Sequence, residues 1–184
     1  MRPVSWVRMM KAAYATTPLG TGSGSSRFSS PSGSFQVLYM GQSVGTALAE
    51  TVIRDRFESL LPDARTLPRA ELARWVMTEI NATRELRLVD LRHDGPLRLG
   101  LDTDAVGAKA HTSGQVFSQE IHDAFPRIDG LLYLSRLNRG QCIALYDRSI
   151  TSTLTASPPV AIERSTLVEH ALETFRIALL DDPS

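Results

Sequence analysis

Residues 34–57 read SFQVLYMGQSVGTALAETVIRDRF, an apolar strand pattern that runs within a few residues into a helix pattern. The FQVLYM run is short and apolar. Beyond it Val44, Ala47, Leu48, Val52, Ile53, Phe57, Leu60 and Leu61 recur at helical spacing until Pro62 ends the series. This reading places Tyr39 at the end of a strand and Glu50 early in a helix, at the edge of the apolar stripe and three positions from both Ala47 and Ile53. From a flanking position its carboxylate looks over the end of the sheet instead of into the core or bulk water.

Working outward, residues 4–10 form a strand pattern that carries Arg8, and TTPLGTGSGSSRFSSPSGS (16–34) is a loop rich in Gly, Ser and Pro with Arg27 inside it. Downstream, PRAELARWVMTEI (68–80) reads as a helix with Pro68 in its first turn, and RELRLVDLR (84–92) as a half-exposed strand. Residues 95–113 are irregular. GQVFSQEIHDAF (114–125) reads as a helix, and GLLYLSR (130–136) and QCIALYD (141–147) as a hairpin across the turn LNRG. TASPPVA (155–161) reads as a loop, and about 163–180 as a closing amphipathic helix with Leu167, Ala171, Leu172, Phe175 and Leu179 on one side. There is no internal repeat. Strands near both ends with helices between them imply an α+β fold with a mixed or antiparallel sheet, in one domain spanning 1–184.

Composition narrows the function classes. With 184 residues and 42% hydrophobic content the chain can bury an ordinary core, and 20 basic residues balance 20 acidic ones. That balance supplies no field for nucleic acid or an anionic membrane as main partner, although a locally basic pocket stays open. A single cysteine, Cys142, sits in the strand pattern QCIALY, so no internal disulfide forms and a reducing compartment is expected. No stretch has the apolar continuity of a secretory signal or a membrane span, so the expected location is the cytoplasm.

Several motifs lead nowhere. GTGSGS (20–25) lacks the Lys-Ser/Thr ending of a phosphate-binding P-loop, and DTDAVG (102–107) starts like a calcium loop but has Ser113 where the twelfth-position glutamate belongs. The four histidines never stand at ligand spacing with one another or with Cys142, so no metal is expected. GSGSS has the letters of a serine nucleophile motif without a strand before it and a helix after it.

What remains is Arg8, Arg27, Tyr39, Glu50 and Ser135, each with an ordinary explanation as surface charge, core aromatic, helix carboxylate or strand-end hydroxyl. Their order supplies more. WVR, PLGTGSGSSRF, FQVLYMGQSVGTALAE, LRLVDL and IDGLLYLSR with GQCIALYDR resemble, in sequence and order, the RES domain, named for its arginine, glutamate and serine. The resemblance spans about Trp6 to Arg148 and places Arg8 and Arg27 on the family's arginines, Tyr39 on its tyrosine, Glu50 on its glutamate and Ser135 on its serine. RFSS departs from the Trp-Asn that follows the second arginine in many members, so no role for that asparagine is carried over.

The resemblance implies an ADP-ribosyltransferase-like fold and a toxin of a bacterial toxin–antitoxin pair. It implies cleavage of NAD at the nicotinamide–ribose bond, with water or phosphate as acceptor. The alternatives are mono-ADP-ribosylation of a protein target and an inactive partner-binding domain. The implied partner is a helix-turn-helix antitoxin whose C-terminal part covers the pocket. The expected roles follow from the chemistry. Glu50 is the catalytic carboxylate facing a ribose that turns cationic, and Arg8 and Arg27 are forked donors to the diphosphate. Tyr39 packs against nicotinamide or ribose, and Ser135 offers its hydroxyl to the amide or the ribose.

Overall fold

The computed structural model describes residues 1–22, 24–57, 59–101 and 111–181. Its centre is an eight-stranded mixed sheet built from β1 (Trp6–Lys11), β2 (Val37–Gly41), β4 (Trp75–Ala82), β5 (Leu88–Asp90), β6 (Gly130–Leu134), β7 (Gln141–Tyr146), β8 (Leu154–Ala156) and β9 (Val160–Ala161). The order across the sheet is β5-β6-β7-β2-β1-β4-β8, with β9 also on β4. Among the described strands of this sheet, β5/β6 pair in parallel, whereas β1/β4, β2/β7 and β6/β7 are antiparallel. Apart from this sheet, β3 (Thr66–Pro68) pairs in parallel with β10 (Ala178–Leu180). The α+β class with a mixed, mostly antiparallel sheet is therefore as expected, and so is the β6/β7 hairpin.

Among the described residues, six α-helices accompany the sheet: α1 (Val44–Leu48), α2 (Arg69–Leu72), α3 (Gly95–Arg98), α4 (Thr112–Ala124), α5 (Asp147–Thr153) and α6 (Thr166–Thr174). Alternation along the strands sorts the core onto the two sheet faces. Leu38 and Met40 of β2 and Ile143 and Leu145 of β7 join Trp6, Ile80 and Leu132 on one face. Val37, Ala144, Tyr146 and Leu131 face the other way, against Phe117 and Ile121 of α4 and the loop residues Phe28 and Phe35. On this second face, at β1, Val7 and Met9 meet α1 and α6 through Ala47, Leu48, Val168 and Leu172.

Five elements differ from the sequence reading. The helix begins at Val44, N-capped by Ser43, whose hydroxyl accepts the Thr46 N–H at 3.2 Å. It widens into a π turn over Ala49–Ile53 and stops at Arg54, whose φ is +29°, well short of Pro62. The 68–80 segment is not one helix but a four-residue turn of helix followed by β4. Its residues fit both periods: Ala73, Val76, Met77 and Ile80 mark a helical face, Val76, Thr78, Ile80 and Ala82 a strand face. The strand wins because β1 supplies six register partners, from Trp6↔Ile80 to Lys11↔Trp75. The 84–92 strand shortens to Leu88–Asp90. TASPPVA contributes to β8 and all of β9 around its two prolines, and α6 ends at Thr174 before a left-handed Arg176 turns the chain into β10. DTDAVG lies outside the described residues. Among the described residues, no helix is long and apolar enough to cross a membrane, and no three of His, Cys, Asp and Glu gather as a metal site.

Candidate active site

Strands β1 and β2 share a single register pair, Val7↔Gly41, whereas β2 and β7 share five. Where the two strands part, a cavity of about 320 Å³ opens between them. Arg8 and Val7 of β1, Tyr39 and Gly41 of β2, Arg27 of the long loop and Glu50 of the π turn all line it. The helix approaches closely enough for this only because position 41 is glycine: a Cβ there would stand 2.8 Å from the Ala47 nitrogen.

The π turn aims Glu50. Arg54 N–H reaches back five residues to the Ala49 carbonyl at 2.7 Å, and the Thr51 hydroxyl donates to the Ala47 carbonyl at 2.6 Å. Short π segments of this kind often coincide with functional sites. Among the described residues, none hydrogen-bonds or ion-pairs with the Glu50 carboxylate at contact distance. Its field is nevertheless felt by Arg27, Tyr133 and Cys142.

Arg27 arrives on a loop without regular structure that is pinned from two sides. Phe28, fully buried, sets its ring edge-on to Tyr133 with centroids 5.1 Å apart. The Phe28 N–H donates to the Tyr39 hydroxyl at 3.1 Å. Burial lowers the Arg27 guanidinium pKa, with Arg136 adding repulsion, while Tyr133 and Glu50 pull it back up. Burial raises the Tyr39 phenol to about 12, so its proton is retained at neutral pH. Arg8 is engaged by the same loop: Nη1 donates to the Pro18 carbonyl at 3.0 Å and Nη2 to the Gly20 carbonyl at 2.6 Å. Burial lowers its pKa to about 10, which leaves it charged at neutral pH. Both ends of its fork therefore shape the glycine-rich segment, while the side chain also lines the cavity.

A profile of the RES domain family matches residues 5–166. The chain belongs to that family. This RES domain is 33% identical over 113 residues to a protein described as "Probable toxin y4kH" from Sinorhizobium fredii (strain NBRC 101917 / NGR234), covering 60% of this chain and 87% of that protein. Its fold is shared with a chain of the crystal structure of the M. tuberculosis MbcT–MbcA toxin–antitoxin complex, with a TM-score of 0.68 over 94% of this chain and 88% of that one. At 16% identity that likeness concerns the fold alone.

Within the RES domain, four of the five residues singled out from the sequence meet at the cavity; Ser135 does not line it. Ser135 is fully buried, its hydroxyl accepts the Leu137 N–H at 3.1 Å, and its own N–H donates to the Gly140 carbonyl at 2.8 Å. It builds the β6–β7 turn, and the two residues after it, Arg136 and Leu137, are the ones that reach the cavity.

The sequence reading also missed residues. Among the described residues, Arg54 and Arg136 bring the cavity to four arginines against one carboxylate, Glu50. Asp55 flanks both at 3.8 and 4.0 Å. His111, Trp75 and Tyr133 complete the polar and aromatic wall. Arg136 directly follows the family serine and so lay within the quoted motif; Arg54, at the end of a turn that no periodicity announces, had no signal. Cys142 lies in the floor, buried, with burial first and Glu50 second pushing its thiol to about 12, so it is an inert thiol at neutral pH.

Proposed function

We propose that this RES domain is a toxin-like enzyme that takes NAD as substrate and cleaves its nicotinamide–ribose bond. The observation carrying the reading is that Glu50 and Arg27 line one cavity in which, among the described residues, four guanidinium groups face one carboxylate. A dinucleotide has the matching charges: an anionic diphosphate, and a ribose that becomes cationic as the bond to the pyridinium breaks.

Nicotinamide leaves as a neutral molecule, so the leaving group requires no general acid. The electron pair of the glycosidic bond returns to the pyridinium ring, and the positive charge moves to the ribose. A fixed carboxylate at Glu50 favours that cation over the ground state. The acceptor then bonds to the anomeric carbon; when it is water, the proton it sheds passes to Glu50 or to solvent. Arg27 and the cavity-facing part of Arg8 hold the diphosphate, and Tyr39 borders the nicotinamide or ribose. A cavity of about 320 Å³ sits at the lower end for ligand pockets and suits the nicotinamide–ribose–phosphate end better than a whole dinucleotide.

The toxin setting is supported by the description of the Sinorhizobium relative, and an antitoxin partner by the complex in which the structural neighbour was solved. A helix-turn-helix antitoxin and a cytoplasmic location are part of the same proposal. The test is incubation of the purified chain with NAD, with and without phosphate and protein acceptors, resolving nicotinamide, ADP-ribose, its phosphorylated form and labelled protein. Nicotinamide release is expected, and the second product names the acceptor. No release under any of these conditions would overturn the reading.

A further inference from the structure

Helix α4 and the residue before it follow the arginine loop almost residue by residue. His111 Nδ1 lies 2.8 Å from the Ser25 carbonyl, Gln115 Nε2 donates to the Ser26 carbonyl at 3.2 Å, and the Ser118 hydroxyl donates to the Phe28 carbonyl at 2.8 Å. Further on, Gln119 Oε1 accepts from the Ser30 hydroxyl at 2.7 Å, and the His122 ring stacks on Phe35 at 4.2 Å. Positions 111, 115, 118 or 119 and 122 lie on one helix face, so the loop is laid along a rigid rod. Arg27 is the residue between the carbonyls taken by Gln115 and Ser118.

His111 also reaches the opposite wall: its Nε2 stands 3.3 Å from Nη2 of Arg54. A guanidinium can only donate, so Nε2 accepts, and Nδ1 carries the hydrogen given to Ser25. The imidazole thus ties the loop bearing Arg27 to the end of the π turn bearing Glu50 and Arg54.

We infer that His111 and Gln115 are positioning residues that set Arg27 and Arg54 in the cavity without touching the reacting atoms. The inference rests on the NAD reading for its kinetic consequence, but the geometry of the clamp is independent of it. Two loop amides report the clamp: Phe28 N–H, bonded to Tyr39, and Ser29 N–H, bonded to the Ser26 carbonyl at 3.1 Å. The substitutions are Gln115→Leu, His111→Leu and His111→Asn. The asparagine keeps a donor near the Nδ1 position and removes Nε2.

Hydrogen exchange at Phe28 and Ser29 is expected to quicken about tenfold in Gln115→Leu and His111→Leu and to stay near the parent rate in His111→Asn, with the melting temperature little changed. The KM for NAD is expected to rise about tenfold in the two leucine variants, with kcat within about threefold. Unchanged exchange in both leucine variants overturns the clamp. Faster exchange with unchanged KM overturns its role in positioning. If the parent releases no nicotinamide, the NAD reading falls, and the exchange rates decide the clamp alone.

Discussion

The backbone N–H of Phe28 donates to the Tyr39 hydroxyl at 3.1 Å, so the strand tyrosine holds the residue next to Arg27. A side chain expected to serve the substrate is already engaged in shaping the loop. Tyr39→Phe leaves that N–H without its acceptor at a cost of about 1–3 kcal/mol. The expected outcome is a lower melting temperature and a KM for NAD that rises more than kcat falls, measured by thermal unfolding and steady-state kinetics.

Glu50→Gln removes the carboxylate while keeping its volume. Nicotinamide release is expected to fall by about 100-fold or more. Folding stability should move by less than ~1 kcal/mol, because no described residue hydrogen-bonds the carboxylate. Retention of activity within a few-fold would assign the cation-stabilising role to another group.

Ser135→Ala separates a turn residue from a substrate ligand. The Leu137 N–H loses its acceptor, and a stability loss of about 1–2 kcal/mol is expected. Activity at a temperature well below the transition should stay within a few-fold of the parent. A folded variant with a selectively raised KM would instead put the hydroxyl on the substrate.

Gly41→Ala drives a methyl group to 2.8 Å from the Ala47 nitrogen, where backbone and not a flexible side chain must give way. The expected cost is about 1–3 kcal/mol, with loss of activity as α1 is pushed off β2. Chemical denaturation and nicotinamide release measured together check it.

Acid sensitivity is expected from Asp129, away from the cavity. Burial opposes its charge, but Arg84 through both carboxylate oxygens, the Arg87 N–H and the Ser149 hydroxyl bring it down to about 2. A folded pKa below the unfolded one stabilises the protein above the unfolded value. That contribution, on the order of 2 kcal/mol, is lost as pH falls from about 4 to about 2. In Asp129→Asn the dependence of stability on pH across that window should flatten, which equilibrium unfolding at several pH values would show.

How much of this was legible in the chain varies by element. β2, β6 and β7 were plain because each is a short apolar run bounded by turn residues. α4 was plain because its apolar positions keep one period throughout. Segment 68–80 was misread because its residues satisfy two periods at once, and only β1, more than sixty residues away, decides between them. Tyr39, Glu50, Arg8 and Arg27 were found through ordered motifs, not through any property of the single residues.

The sequence by itself determined the strand-to-helix unit at 34–57, the α+β class and four residues that come to share a cavity, since local pattern and motif order are written in one dimension. Only the tertiary structure decided that Ser135 shapes a turn, that Arg54 and Arg136 join the site, and that α4 grips the loop carrying Arg27. Those outcomes depend on where hydrogen bonds close between segments separated by tens of residues, and no periodicity along the chain encodes such distances.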